Sequence, residues 1–272
     1  MSETLKDKGR RLQKQRDYRL DVNKYILVHV DGRSFSKNIK NKFKKPFDRD
    51  FINMMNETAI YLCENVQGAK IAYVQSDEIS LLLKKDTHEG DIFFGGRLCK
   101  MQSIIASLAT AKFNQLATVY NLKKTKEYYD DNLYAMSFIT EEIGDLPLYQ
   151  FDCKVWDVDT ANDAFAWFLF RNIDCIRNSK QQFAQTYVPH KVLLNHTTDE
   201  QVLMAIDEDG NDWHACDNDE KFGRIVSKES FTHIAEDGTE YLRTKWVTHD
   251  GTDLTYPDSR NEFIEKYNFF KD

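Results

Sequence analysis

The amino-acid sequence predicts an α/β protein with a ferredoxin-like core, in which the order βαββαβ gives an antiparallel sheet with helices on one face. Two observations predict this fold. Apolar, β-prone runs flank the polar step Gln75-Ser76-Asp77-Glu78, which is typical of a tight hairpin. A further apolar run, residues 25–30, is separated from that hairpin by a long stretch with helical spacing.

The remaining elements follow in chain order. Residues 25–30 predict a buried strand, in which His29 is expected to be a hydrogen-bonded core residue. Asp48 suits the N-cap of the next helix, and Gly68 suits its C-terminal end. A second helix is predicted from about residue 96 to 120, followed by a charged connection over 121–150 that contains Pro147.

The later part of the chain adds further elements to this core. Residues 151–158 alternate apolar and polar side chains and predict a strand, and residues 161–184 have helical spacing. Beyond Gly223 we expect short strands around the Asp237-Gly238 and Asp250-Gly251 turns, then a short helix. The predicted division is therefore a core domain over 1–160 and a helical and mixed region over 161–272 packed on it.

Charge is distributed unevenly along the 272 residues, whose net charge is −7. Residues 1–50 hold 15 Lys and Arg against 7 Asp and Glu, a local charge of +8 that leaves −15 for the remainder. A basic N-terminal segment on an acidic protein is compatible with a polyanionic partner, although charge runs are also common on solvated surfaces.

The composition of the chain limits the cellular compartment and the kinds of metal site that it predicts. The five cysteines are scattered without Cys-x-x-Cys spacing, which predicts neither a disulfide framework nor a zinc site. No apolar run approaches the ~20 residues of a membrane span, and the polar start Met1-Ser2-Glu3-Thr4 lacks the apolar segment of a signal peptide. We therefore predict an intracellular protein with no membrane partner.

Two aspartates are the strongest candidates for chemistry. Asp31 ends the first strand and Asp77 lies at the hairpin bend, so neighbouring strands would bring the two carboxylates together. Such a pair is repulsive unless a cation lies between the two groups, and oxygen ligands without Cys or His predict Mg²⁺. Gly32 would let the backbone approach a metal or phosphate closely.

Either aspartate alone could belong to an ordinary turn. Together they indicate a polymerase palm, in which two metal ions stabilise the attacking and leaving oxygens of a phosphoryl transfer. This hypothesis makes the protein a metal-dependent nucleotidyltransferase.

Basic side chains would have to bind the triphosphate, because the sequence contains no glycine-rich phosphate loop. The candidates are Arg33, Lys45, Arg97 and Lys100. A polar stripe on the later helix could bind phosphates and bases, or could be an ordinary exposed face. It consists of Arg171, Asp174, Arg177, Asn178 and Ser179.

These motifs resemble the tRNA-histidine guanylyltransferase superfamily, the polymerases that extend RNA in the 3′–5′ direction. The resemblance runs from about Leu20 to Lys228. It rests on Val30-Asp31-Gly32-Arg33-Ser34-Phe35, Lys45-Pro46, Ala72-Tyr73-Val74-Gln75-Ser76-Asp77-Glu78-Ile79-Ser80, Arg97-x-x-Lys100, Ala106-Ser107 and Phe113-Asn114.

The resemblance implies specific roles. Asp31, Asp77 and the backbone of Gly32 would hold two magnesium ions. Catalytic roles would fall to Asp31, Ser76, Asp77 and Glu78, with Glu78 supporting either the hairpin or a metal-bound water. Nucleotide contacts would come from Asp31, Gly32, Arg33, Ser34, Phe35, Ser36, Lys45, Ser76, Asp77, Arg97 and Lys100.

One departure bears on the RNA substrate. Eukaryotic guanylyltransferases carry His-Ile-Asn-Asn-Leu-Tyr-Asn on the late helix, where this chain has Asn172 to Ser179. That stretch, followed by Pro189-His190-Lys191, resembles the guanylyltransferase-like branch of bacteria, phages and some protists. The implied tRNA contacts are Arg171, Asp174, Arg177, Asn178, Ser179, His190 and Lys191.

The implied activity is magnesium-dependent addition of GTP or another nucleoside triphosphate to a tRNA 5′ end after activation by ATP, in a tRNA repair role. The resemblance also implies a homotetramer in the cytoplasm, with mitochondria left open for a eukaryotic source. Three alternatives stay open at this point. They are a dedicated tRNA-histidine guanylyltransferase, another palm enzyme such as a nucleotide cyclase or forward polymerase, and a non-catalytic tRNA-binding protein.

Overall fold

A single antiparallel sheet of six strands, in the order β4-β1-β3-β2-β5-β6, organises the computed structural model. The structure describes residues 3–15, 17–39, 42–86, 92–129, 148–206, 210–235 and 237–271. The strands are β1 (Tyr25–Gly32), β2 (Ala69–Gln75), β3 (Glu78–Leu83), β4 (Phe151–Val158), β5 (Arg224–Ile234) and β6 (Glu240–Asp250). The first four form the predicted βαββαβ core, so the fold class is confirmed.

The described helices connect and cover this sheet. They are α1 (Leu5–Lys14), α2 (Phe35–Asn38), α3 (Arg49–Asn65), α4 (Leu98–Tyr129), α5 (Ala161–Tyr187), α6 (His190–Leu193), α7 (Thr198–Ala205), α8 (Asn218–Lys221) and α9 (Pro257–Lys266). As predicted, the Asp48 carboxylate caps α3 by accepting a hydrogen bond from the Phe51 amide at 3.0 Å.

Strand β1 is buried on both faces, which explains its unbroken apolar sequence. Val28 and Val30 belong to the core under the crossover helices α3 and α4. Leu27, whose side chain points to the other face, belongs to a second core with residues of α5 and α9. The two crossover helices therefore share one face, and the later helices close the opposite one.

His29 is a core residue of β1, as predicted. Its Nδ1 lies 3.2 Å from the Ser80 hydroxyl and its ring packs edge-on against Trp167. Burial lowers the pKa of His29, which favours the neutral imidazole.

The C-terminal strands differ from the prediction. β5 and β6 are long strands of 11 residues each that form one hairpin around the Asp237-Gly238 turn. Gly251 follows the end of β6 and does not form a second hairpin turn. Only residues 224–227 pair with β2, and the rest of the hairpin is held mainly by its own ladder. Because that part is largely exposed, it lacks the apolar alternation from which strand length is predicted.

The second crossover helix also differs, because α4 continues to Tyr129 instead of ending near residue 120. The rest of the predicted connection, including Pro147, lies mostly outside the described residues. The domain boundary at residue 160 stays a prediction, and β5 and β6 extend the same sheet to which the first 160 residues contribute.

Asn172 joins α5 to the end of the sheet and is 1 % exposed. Its amide nitrogen donates to the carbonyls of Phe222 at 3.1 Å and Thr252 at 3.0 Å. Its amide oxygen accepts from the Leu254 amide at 2.9 Å. A buried amide so fully paired fixes α5 against two chain segments.

The remaining features are the cysteines, the first helix and the apolarity of the helices. All five cysteines are free thiols. Helix α1 is fully exposed and buries no residue in this chain. Among the described helices, none combines the length and apolarity needed to cross a membrane.

Candidate active site

Three acidic residues lie in one row at the end of the sheet. Asp31, the second-last residue of β1, stands opposite Glu78 on β3 and Asp152 on β4. Residues directly opposite in an antiparallel sheet have Cβ atoms about 5 Å apart. Asp152 was not identified from the sequence, where its only signal is its position at the start of an alternating strand.

Asp77 completes the cluster from the two-residue loop between β2 and β3. Ser76 opens this loop in a left-handed conformation, with φ of 41°, and its hydroxyl donates to Asp77 Oδ1 at 3.0 Å. A Cβ built on Gly32 would lie 2.6 Å from Asp77 Oδ2 and 2.4 Å from the Phe35 ring. Because Gly32 has no side chain, the Asp77 carboxylate can pack against β1 next to Asp31.

Burial and mutual repulsion disfavour charge on both aspartates. Burial raises the pKa of Asp77 to about 6, and Asp31 and Glu78 add to the rise. Burial likewise raises the pKa of Asp31, with further contributions from Glu78 and Asp152. No Lys or Arg among the described residues forms a salt bridge with Asp31 or Asp77. Carboxylate oxygens without a salt-bridge partner suit a hard divalent cation.

Glu78 is bound by protein groups. Its Oε2 accepts from Gln75 Nε2 at 2.7 Å and from the guanidinium of Arg171, which is 7 % exposed. The structure thus gives Glu78 a role in holding the hairpin against α5. It also gives Arg171, predicted as a tRNA contact, a half-buried ion-pair partner inside the protein.

The polar stripe on α5 is mostly an internal network. Asp174 accepts hydrogen bonds from Arg171, Arg177 and Asn178. Ser179 is buried, with its hydroxyl 3.2 Å from both the Lys221 carbonyl and Trp213 Nε1. Among the seven predicted tRNA contacts, the exposed residues are Arg177, Asn178, His190 and Lys191. Helical spacing correctly predicts that these residues share one face of α5. It does not predict that Arg171, on that face, contacts Glu78 of the sheet.

The Phe35 side chain is a core residue, so its predicted contact with nucleotide would have to come from its backbone and stays a prediction. It is 1 % exposed and its ring packs against Phe113, Tyr149 and Phe151 at centroid distances of 5.0–5.3 Å. Its neighbour Arg33 is exposed and donates to Gln150 Oε1 at 3.0 Å. Ser34 precedes α2 in a left-handed conformation and is also exposed.

A cleft of about 340 Å³ opens beside the acidic cluster, between residues 36–39 and 43–52, the β2–β3 loop and α5. This size lies within the range of small-molecule sites. The predicted site residues that line it are Ser36, Lys45, Ser76, Asp77, Glu78, Asn178 and Ser179.

Arg97 and Lys100 lie at the opposite end of the sheet within one chain. Arg97 forms a β-bridge with Arg19, which precedes β1, and its Nε donates to Asp17 at 2.9 Å. Phe113, which packs on Phe35 near the site, follows Arg97 by 16 residues, or ~24 Å along a helix. The structure does not bring these two basic residues to the cleft of their own chain.

A second group of acids is neutralised by an arginine. Ligand atoms of Asp217, Asp219 and Glu220 lie within 4.8 Å of one another. The guanidinium of Arg49 forms salt bridges with all three carboxylates. Because a cation already occupies the centre of this group, its chemistry favours an ion-pair network over a metal site.

Comparison with known proteins gives one consistent result. The model of the family described as tRNAHis guanylyltransferase matches residues 8–158. A solved bacterial tRNA(His) guanylyltransferase-like protein in complex with ATP is similar with a TM-score of 0.76 and 27% identity, covering 97% of this chain and 98% of that one. A structure of such a bacterial protein in complex with GTP is similar with a TM-score of 0.71 and 25% identity, covering 98% of this chain and 99% of that one.

Sequence relatives agree. An uncharacterized protein of Acanthamoeba polyphaga mimivirus is 28% identical over 98% of this chain and 91% of its own length. A probable tRNA(His) guanylyltransferase of Dictyostelium discoideum is 31% identical over 53% of this chain and 49% of its own length.

We predict that Gly32→Ala disrupts the site, because the new methyl group would overlap the Phe35 ring and the Asp77 carboxylate. We expect a loss of roughly 1–3 kcal/mol in the free energy of unfolding, measured by chemical denaturation. Gly9→Ala on exposed α1, where nothing lies within 4 Å of the new Cβ, is the matched control and should not destabilise. Wild-type stability of Gly32→Ala would contradict the close packing.

Proposed function

The chain belongs to the tRNA(His) guanylyltransferase family and is a nucleotidyltransferase; from this premise we propose that it adds nucleotides to tRNA 5′ ends in the 3′–5′ direction, with magnesium, as a repair activity. The observation that carries the proposal is the half-buried pair Asp31 and Asp77, of which Asp77 lines a cleft and neither forms a salt bridge with a described residue.

Magnesium fits the residues present. Asp31 and Asp77 offer carboxylate oxygens, and the close approach of Gly32 leaves its backbone beside them. Bound magnesium would supply electrostatic stabilisation of the phosphoryl group and would make the attacking hydroxyl more acidic. The chain's own contribution is to hold the two carboxylates side by side before any substrate binds.

Neighbouring residues position this pair. The Ser76 hydroxyl orients Asp77, while the contacts of Glu78 with Gln75 and Arg171 fix the hairpin that carries it. Lys45 and Ser36 line the cleft near its mouth and would bind the charged part of a nucleotide. Glu78, bound to Arg171, acts in this proposal by positioning Asp77.

The proposed chemistry has two transfers. The 5′-monophosphate of the RNA would first attack the α-phosphate of ATP, which attaches an adenylyl group to the RNA end and releases pyrophosphate. The 3′-hydroxyl of GTP or another nucleoside triphosphate then attacks the activated phosphate and displaces the activating group. Complexes of similar bacterial proteins with ATP and with GTP support both nucleotides as substrates.

Four exposed side chains would donate hydrogen bonds to the RNA. Asn178 lines the cleft, and the other three are Arg177, His190 and Lys191. Contacts of this kind bind phosphates and position an RNA without reading its sequence. Selection would then come from pairing of the incoming nucleotide with the opposite strand of the acceptor stem. A homotetramer and a cytoplasmic location stay predictions from the family resemblance.

The first prediction tests the substrate. We expect a non-histidine tRNA lacking its first 5′ nucleotide to be extended in the presence of ATP and labelled GTP, whatever its anticodon. The matched substrate is an intact histidine tRNA under identical conditions. Preference for that tRNA, lost on changing its anticodon, would instead support a dedicated tRNA-histidine guanylyltransferase.

The second prediction concerns the carboxylates. Asp31→Asn or Asp77→Asn should lower the transfer rate by more than about 100-fold, since even outer-shell groups of metal sites contribute 10–100-fold. Because the buried charge of Asp77 is unfavourable, metal-free Asp77→Asn should melt no lower than the wild type, and magnesium should no longer raise its melting temperature.

Asp217→Asn, in the acidic group that binds Arg49, is the control for this pair. It should keep both the transfer activity and the rise in melting temperature with magnesium. If Asp31→Asn and Asp77→Asn turned over at the wild-type rate in saturating magnesium, the metal site would have to be placed elsewhere.

The third prediction concerns RNA binding. Arg177→Ala should weaken binding of different tRNAs equally and reduce the slope of log K against log salt by about one, as expected for one lost phosphate contact. Arg243→Ala, an exposed arginine on β6, is the control. Filter binding at several salt concentrations measures both variants, and an unchanged slope for Arg177→Ala would remove it from the RNA surface.

A further inference from the structure

The hairpin of β5 and β6 extends beyond the sheet with one side of β5 unpaired. Residues 224–227 of β5 pair with β2, whereas residues 228–234 pair only with β6. No other strand in the part of the chain that the structure describes lies beside residues 228–234 on that side. We call these residues the free edge of β5. An edge of this kind is a template to which another strand can add.

This exposed part of the hairpin also has apolar side chains that the described chain does not cover. Phe231 and Tyr241 are 37 % and 48 % exposed, and Ile234 and Leu242 are 64 % and 78 % exposed. A two-stranded hairpin is at best marginally stable in water by itself, and a third strand is normally needed. Beyond Glu229 the free edge has no Lys, Pro or bulge, which are the usual means of blocking strand addition.

The sequence of the free edge is complementary to a second copy of itself. If two such edges pair antiparallel about a twofold axis, all seven residues find a partner only when the axis passes through Phe231, the middle residue. Phe231 then faces Phe231 of the second copy, Ser230 faces Thr232, and Glu229 faces His233. Aromatic pairs, hydroxyl pairs and pairs of an acidic with a basic residue are those that stabilise antiparallel strands.

Other registers of the same pair fit less well. An axis through Ser230 or Thr232 leaves two residues of each free edge unpaired. It also places Phe231 against Glu229 or against His233. The register centred on Phe231 is therefore the one that uses the whole edge and matches its side chains.

A cavity beside the free edge provides a second match. It has a volume of about 640 Å³, opens where β5 separates from β2, and is lined by five lysines against three carboxylates. In the register centred on Phe231, Ile234 of the second copy faces Lys228, which lines this cavity. The hairpin tip that follows Ile234 would then reach the cavity. That tip contains the exposed Asp237 and Glu240 and no basic residue.

We propose that two copies of this chain associate through the free edges of β5, in an antiparallel pair centred on Phe231, with the acidic hairpin tip of each copy against the lysine-lined cavity of the other. Both copies use the same surface, so the association closes as a dimer or forms one interface of a larger assembly with twofold symmetry. The inference concerns association alone and does not rest on the proposed function.

Disulfide formation tests the register. In a chain whose exposed Cys99 is replaced by serine, Phe231→Cys should place two thiols across the axis, where opposite Cβ atoms are about 5 Å apart. Mild oxidation should convert most of this variant to a covalent dimer on a non-reducing gel. Leu242→Cys in the same chain is the matched control. Leu242 is more exposed but lies on β6, so its two copies would be three strand spacings apart, or about 14 Å.

The control separates strand pairing from chance contact. Equal cross-linking at the two positions would indicate random collision, and cross-linking of Leu242→Cys alone would indicate a different interface. Absence of cross-linking at position 231 would show that the free edges do not pair. Each of these three results would overturn the proposal.

The mass in solution tests the association itself. Light scattering after gel filtration should give Phe231→Asp half the mass of the wild type, because two carboxylates would face each other on the axis. Thr244→Asp, at an exposed position of β6 in the same hairpin, should keep the wild-type mass. A monomeric wild type, or an unchanged mass for Phe231→Asp, would overturn the proposal. A monomeric wild type whose tRNA binding is weakened by Phe231→Asp would make the hairpin an RNA surface instead.

A change of charge tests the position of the hairpin tip. Glu240→Lys should raise the dissociation constant of the dimer about fivefold, since two symmetry-related contacts are lost together. Glu262→Lys on α9 makes the same change of charge at another exposed position and should have no effect. Equal effects of the two variants would overturn the placement of the tip.

Association and nucleotide transfer can fail separately. Extension of tRNA by a protein that stays monomeric would reject the β5 interface and keep the proposed function. Cross-linking at position 231 in a protein without transfer activity would keep the interface and reject the proposed function.

Discussion

The structure depends on keeping two like charges together in a partly buried place. Asp31 and Asp77 are 46 positions apart in sequence, and they come close enough to affect each other's charge because β1 pairs with the β2–β3 hairpin in one sheet. Burial raises the pKa of both groups, so the ionised pair is unfavourable until a cation joins it. The folded protein therefore has an unfavourable electrostatic free energy at this site, as is common for groups at functional sites.

Much of the surrounding structure serves to fix that arrangement. Gly32 has no side chain where Asp77 must pack, and Phe35 closes the core directly behind it. Arg171 crosses from α5 to hold Glu78, so that the hairpin is tied to the helix on the other side of the sheet. The later half of the chain is thus part of the mechanical support of the site, and a substitution on α5 can affect catalysis without touching substrate.

The cleft beside the carboxylates combines two kinds of surface. It is lined by the exposed Lys45 and by aromatic and aliphatic side chains. A nucleotide has matching parts in its phosphate chain and its planar ring. This match is the physical basis on which we propose nucleotide transfer.

The sequence by itself determined the core fold and the aspartate pair. Buried strands, a tight hairpin and capped helices leave local signals that do not depend on distant residues. Only the tertiary structure decided which polar side chains are used in internal contacts and which stay exposed. Arg171 and Ser179 are buried in internal contacts, Phe35 belongs to the core, and Arg97 lies at the far end of the sheet. Asp152 enters the acidic cluster by strand pairing alone. Periodicity assigns a residue to a face of its own element, but pairing and packing between elements decide what that face meets.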